Sequence, residues 1–195
     1  MTQRRALALA ALVWVLSVAT GTTIGIAPTF DELVEQADTI FFGEVVNLRS
    51  SSEKNRDGRV IVTRVTFKVF QTLKGREAIQ AQLEFLGGTV GDVTLNVGDV
   101  PQFKIGDRDI LFVNTADRSV SPIVGLVHGR FRVVRDPVTG QDIVRRHDGT
   151  AIRSAASIDP SATAALFGPE LSVLQFEAEV TRKLAELRSR RSPGR

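Results

Sequence analysis

From residue 39 onward the apolar side chains of this chain recur at every second position, and that alternation limits the fold more than any other feature. Ile61, Val65, Phe67 and Val69 fall on one face of an extended segment with Thr63 among them, while Arg64, Thr66 and Lys68 take the other. Upstream, Ile40, Phe42, Val46 and Leu48 share one face of a strand and Phe41 and Val45 the other. Gly43 in their midst marks a bend or bulge. Residues 50–58, polar and charged, read as an exposed loop. Lys74-Gly75 makes a turn, and Ala81, Leu83 and Phe85 then alternate with Gln80, Gln82 and Glu84. Residues 87–104 are glycine-rich and break the pattern, with Leu95 and Val97 as a short strand inside an ordered loop.

Ile110, Leu111, Phe112 and Val113 are apolar on both faces, which predicts a central strand. Residues 124–127 and 131–134 follow as two more strands. The run Asp136-Pro137-Val138-Thr139-Gly140 is a turn before Ile143 and Val144. Six to eight short antiparallel strands predict a mainly β fold, a small OB-like barrel. A short helix precedes it. Thr29 and Glu32 have capping-box spacing, and Phe30, Leu33, Val34 and Ala37 fall at helical intervals. After residue 159 the chain turns helical, and Gly168-Pro169-Glu170 leads into an apolar stripe of Val173, Phe176, Val180, Leu184 and Leu187.

The N-terminus carries a different message. Arg4 and Arg5 are followed by no charged residue until Asp31, with an apolar run over residues 6–19. A positive start, an apolar segment of this length and the small residues Ser17 and Ala19 read as a secretory signal cleaved after Ala19. A retained N-terminal membrane anchor is the alternative. The expected organisation is signal 1–19, linker 20–28, β-barrel with its helix 29–158, C-terminal helices 159–188 and a disordered basic tail 189–195.

Removal of the signal leaves roughly 175 residues, enough for one domain with a real core. The chain has no cysteine. An exported domain of this kind, in the periplasm or outside the cell, therefore rests on its core and not on disulfides. The formal charge of +3 is misleading. Setting aside Arg4, Arg5 and the tail from Arg182 turns the remainder mildly negative, which disfavours a nucleic-acid-binding fold.

Three stretches together carry a resemblance. The segment 37–46 (Ala-Asp-Thr-Ile-Phe-Phe-Gly-Glu-Val-Val), Val65-Thr66-Phe67-Lys68-Val69-Phe70 closing on Leu73-Lys74-Gly75, and Phe103-Lys104-Ile105-Gly106-Asp107 running into Ile110-Leu111-Phe112-Val113 form one pattern. It resembles the tissue-inhibitor-of-metalloproteases (netrin-like) barrel as found in bacterial exported proteins. The segments 87–91 and 124–131 are similar to those of exported proteins associated with matrixin-like zinc proteases. The resemblance spans residues 37–134 and implies an OB-type barrel with flanking helices and a metalloprotease as partner. The animal inhibitors act through an N-terminal cysteine. No residue here can take that role.

Motifs for chemistry are sparse. Gly87-Gly88-x-x-Gly91 lacks the lysine and hydroxyl residue of a phosphate-binding loop. His128 and His147 are the only histidines, too few for a zinc site without further ligands. Asp107 and Asp109 read as solvated turn and edge residues. No cofactor and no metal are expected. The leading expectation is a non-enzymatic exported protein-binding module, with Gly87, Gly88, Thr89 and Gly91 of the loop and Val173, Phe176, Val180 and Leu184 of the helix as candidate contacts. The alternatives are an anionic-surface binder acting through Arg182, Lys183, Arg188, Arg190 and Arg191, and an enzyme of unrecognised type.

Overall fold

The computed structural model describes residues 27–55, 58–116, 120–159 and 168–191. The expected signal, most of the linker and residues 192–195 of the tail lie outside them, as does the helix start expected at Pro160. The fold is mainly β. Helix α1 (Phe30–Gln36) leads into β1 (Thr39–Asn55), β2 (Gly58–Lys74), β3 (Gln80–Leu86), the small hairpin β4 (Gly88–Val90) and β5 (Val93–Leu95), then β6 (Arg108–Val113), β7 (Arg130–Arg135) and β8 (Asp142–Arg146). A 3-10 turn, Ala155–Ile158, and helix α2 (Val173–Arg191) complete it. Six strands form one antiparallel sheet in the order β3-β2-β1-β6-β7-β8, and β4-β5 form a second.

Helix α1 begins where the capping box places it. Thr29 Oγ1 accepts from Glu32 N at 3.3 Å, and a Glu32 carboxylate oxygen accepts from Thr29 N at 2.7 Å, so two orphan donors of the first turn are satisfied reciprocally. At its other end Lys74 Nζ donates to Val34 O at 2.7 Å, a cation on the negative end of the helix.

The sheet buries both faces. On one, Ile40, Phe42, Ile110, Phe112, Phe131, Val133 and Val144 meet α1 and α2; on the other, Phe41, Val45, Val65, Phe67, Leu83, Phe85 and Leu111 meet Val100 and Ile123 from the loops. β6 lies between β1 and β7 with Ile110–Val113 buried throughout, as its two-sided apolar sequence requires. On the helical face Phe176, 0 % exposed, meets the rings of Phe30, Phe112 and Phe131 at centroid distances of 6.1, 6.5 and 4.8 Å.

Several expectations are corrected. First, among the described residues the barrel does not close. Residues 124–127, expected as a strand, form turns, because Gly125 (φ +62°) and Leu126 (φ +61°) take left-handed backbone. Residues 120–123, just before them, lie between the ends of β6 and β3. The end of β3 still comes round to this segment: Leu86 N donates to Val120 O at 2.9 Å, and Ile123 bridges Val113 of β6. Second, residues 50–55 and 58 belong to a long β1–β2 ribbon rather than a loop.

Third, Leu48 sits with Val45 and not with Phe42, because the register shift between Val45 and Asn47 makes Val46 an extra residue and reverses the parity beyond it. Val46 itself is 41 % exposed. The bulge expected at Gly43 is present as a shift between Phe42 and Gly43, where an added Cβ would lie 2.8 Å from Lys68 O. Fourth, Val173, Phe176, Val180 and Leu184 are buried in the core against the sheet and are closed to a partner. The helix also continues through residues 189–191, where the sequence suggests disorder.

One buried acid on α2 has no cation beside it among the described residues. Glu177 is 6 % exposed, and burial alone acts on its carboxyl, pushing its pKa above the usual carboxylate range. With its amide nitrogen turned inward, Gln71 lies 3.1 and 3.2 Å from the two carboxylate oxygens. A raised folded-state pKa stabilises the fold below the unfolded pKa, and that contribution is lost as pH rises through the folded value. Glu177→Gln removes the dependence and gains about 1 kcal/mol at neutral pH. Urea midpoints at pH 4 and pH 7.5 check this: the variant's advantage should appear only at the higher pH.

Candidate functional site

β1, β2 and β3 meet the loop after β5 in a cleft of about 280 Å³. Alternation along the strands places Leu48, Val65 and Phe85 on its floor, and Val100 and Phe103 wall it from the loop. Ser50 and Thr63 stand at the rim with hydroxyl oxygens 2.8 Å apart, and Thr63 Oγ1 donates to Gly87 O at 2.7 Å. Phe67 lies behind the floor and meets Phe41 and Phe103 at centroid distances of 5.6 and 5.4 Å, which holds the Phe103 wall in place.

Gly87, Gly88 and Thr89 line this cleft, as part of the expected loop site. The glycines are there for geometry. Gly88 has φ +126°, and a Cβ on it would sit 2.2 Å from Thr63 Oγ1 and 2.7 Å from Ser50 Oγ, so any side chain would enter the rim. Thr89 is exposed, with its hydroxyl 3.0 Å from that of Thr94 across the small hairpin. Gly91 is set apart, in the turn at the hairpin tip with φ +58° and open space around it. The cleft lining carries no ionisable side chain. Its chemistry is to bury an apolar group and to hydrogen-bond a polar one beside it.

Behind Phe103 lies a network that inspection of the sequence misses. The Arg130 guanidinium sits 4.1 Å from the Phe103 ring centroid. Its Nε and Nη2 donate to the two carboxylate oxygens of Asp109 at 2.9 and 3.0 Å, Nη2 donates also to Asp107 at 2.9 Å, and Nη1 to Gln102 O at 2.6 Å. Asp109 is 0 % exposed, which corrects the reading of Asp107 and Asp109 as solvated. Burial pushes the Asp109 carboxyl up while Arg130 pulls it down. The readable signal was Asp-x-Asp at the entry to β6, with Asp109 on the strand, together with an arginine on β7 one ladder step away.

His128 and His147 pack edge to face, 5.2 Å between ring centroids. Burial pushes both pKa values down, helped at His128 by Arg146, so both rings favour the neutral form. Among the described residues no group of three or more His, Cys, Asp or Glu side chains is placed to hold a metal ion.

The residues expected to bind anionic surfaces are mostly committed within the fold. Lys183 Nζ bonds Asp31 at 2.7 Å and Glu186 at 2.9 Å, tying α2 to α1, and Arg182 pairs with Glu179 and Glu186. Arg188 and Arg190 are exposed, Arg190 lying 3.9 Å from Asp31. The Arg191 side chain lies outside what is described. Among the described residues no helix is long and apolar enough to cross a membrane. Compared with family models, curated proteins and solved structures, the chain matches none.

Proposed function

We propose that the protein is an exported, non-enzymatic module that binds another protein, and that the cleft beneath the β4–β5 hairpin receives an apolar side chain of that partner. One observation carries this reading: the cleft combines an apolar floor with a hydroxyl rim and contains no ionisable group. Partner anchors seat in pockets of that composition, where apolar burial supplies affinity and rim hydrogen bonds supply orientation. Export follows from the charge pattern of residues 1–19, and the netrin-like resemblance of residues 37–134 makes a co-exported metalloprotease the partner to look for first.

The test is affinity capture from the exported fraction of the native host with three baits. They are the unaltered protein, a Ser50→Trp variant whose indole fills the cleft, and a variant with Arg188 and Arg190 both changed to Gln. Retention of one protein in high salt by the first and third baits, and its loss with Ser50→Trp, is the expected result. Retention that Ser50→Trp leaves intact, but that salt or the arginine changes abolish, would transfer the function to electrostatic contact through the end of α2. Circular dichroism of each bait establishes that it is folded.

A further inference from the structure

The hydroxyl pair at the rim of the cleft has a fixed polarity. Gly87 O is a carbonyl oxygen and can only accept, so the single proton of the Thr63 hydroxyl is spent on it at 2.7 Å. The Ser50 and Thr63 oxygens lie 2.8 Å apart, and with the Thr63 proton already used the proton between them belongs to Ser50. The relay therefore runs one way, from Ser50 to Thr63 to Gly87 O. Ser50 Oγ is left as an acceptor with no proton to give. The backbone N–H of Gly87 is committed as well, to Ile61 O at 2.7 Å. Thr89 and Gln102, the other polar side chains of the lining, are solvent-exposed.

We infer that the cleft selects a tryptophan side chain of the partner protein, whose indole body covers the apolar floor and whose ring N–H donates to Ser50 Oγ. The inference rests on the protein-binding reading and names the anchor residue. An indole nitrogen donates and never accepts, which is what a rim with both protons spent requires. Phe85 and Phe103, with ring centroids 5.0 Å apart, give the guest ring aromatic neighbours. Leucine or phenylalanine would fill the floor but shut Ser50 Oγ off from water with no donor in its place, and that desolvation is not repaid. A tyrosine hydroxyl can donate there, yet it brings lone pairs of its own to a rim that has no proton for them. Charged guests find no counter-ion, since the lining carries no ionisable side chain.

The probes are blocked tripeptides with glycine on either side of tryptophan, phenylalanine or benzothienylalanine, the last an isostere that carries sulfur where indole carries N–H. NMR titration of the unaltered protein should move the methyl groups of Leu48 and Val65 and the amide of Gly88. The tryptophan peptide should bind about three- to tenfold more tightly than its isostere, the worth of one hydrogen bond, and the phenylalanine peptide should be weaker than tryptophan by at least as much. Ser50→Ala should erase the preference for tryptophan over the isostere while changing the isostere's own affinity little, a cycle that isolates the one bond from general packing. Equal affinity for tryptophan and the isostere, or a preference that persists in Ser50→Ala, overturns the inference, while saturable shifts at the cleft keep the cleft reading standing. Should Ser50→Ala fail to fold, the comparison in the unaltered protein decides. Absence of saturable shifts with every peptide also overturns the inference, and the cleft reading is then decided separately by whether Ser50→Trp abolishes capture.

Discussion

Phe67→Asp abolishes cooperative folding. Phe67 is 0 % exposed, packed between Phe41 and Phe103 on the face of the sheet opposite the helices. A carboxylate there has no cation within its cluster, and ionised carboxylates are not accommodated in apolar surroundings without a partner. Removing the ring alone costs about 3–5 kcal/mol, a large part of the stability of a domain of this size. The expected circular dichroism spectrum has lost its strand signal, and thermal scans show no transition. A soluble variant that melts like the unaltered protein would mean that β2 is in the other register, with Arg64, Thr66 and Lys68 facing inward.

Arg130→Met is the second large effect, about 3–5 kcal/mol of lost stability at neutral pH, because it leaves the buried Asp109 charge uncompensated. The size follows from geometry: the guanidinium makes both bonds to Asp109, reaches Asp107 and Gln102 O, and stacks on Phe103. The pH dependence carries a definite sign. Burial pushes the Asp109 carboxyl up, and without Arg130 nothing of comparable strength opposes it, so its folded pKa rises further. A raised folded pKa gives stability that is present at low pH and lost as pH rises through that value. The deficit should therefore be small near pH 4 and full near pH 7.5. Asp109→Asn in the Arg130→Met background should recover much of it. Denaturant midpoints of the three proteins at both pH values measure this. A deficit independent of pH would assign the loss to packing on Phe103 alone.

Local patterns in the sequence were read well where an element lies directly against an apolar layer. α1, the central strand β6, the alternation of β2 and β3 and the turn before β8 all appear, because each element's own residues face a single apolar layer or two of them. The misreadings have separate physical causes. Residues 50–55 look like a loop because that part of the ribbon has no apolar face to display; it is held by pairing and by side-chain bonds such as Arg64 to Ser51 and Glu53. Residues 124–127 look like a strand by composition, yet left-handed backbone at Gly125 and Leu126 overrides it. The side assigned to Leu48 is lost to a bulge one residue earlier.

The candidate site was half legible. Gly87 and Gly88 announced a tight place in the backbone, but nothing local shows that Ser50, Thr63 and Phe103 converge on it from separate segments of the sequence. The Arg130–Asp109 pair left only half a signal: Asp-x-Asp stands in the sequence, but the ladder step that brings Arg130 to it does not. The apolar stripe of α2 was visible and its use was not, since a stripe that packs on the chain's own sheet has the same spacing as one that packs on a partner.

Where a partner sits on the molecule is the most direct test of the account. Isotope-labelled protein, titrated with the partner recovered by capture, should show its largest NMR shift changes at the methyl groups of Leu48 and Val65 and the amides of Gly87, Gly88 and Thr89. Changes confined to the exposed end of α2, around Arg188 and Arg190, would contradict it.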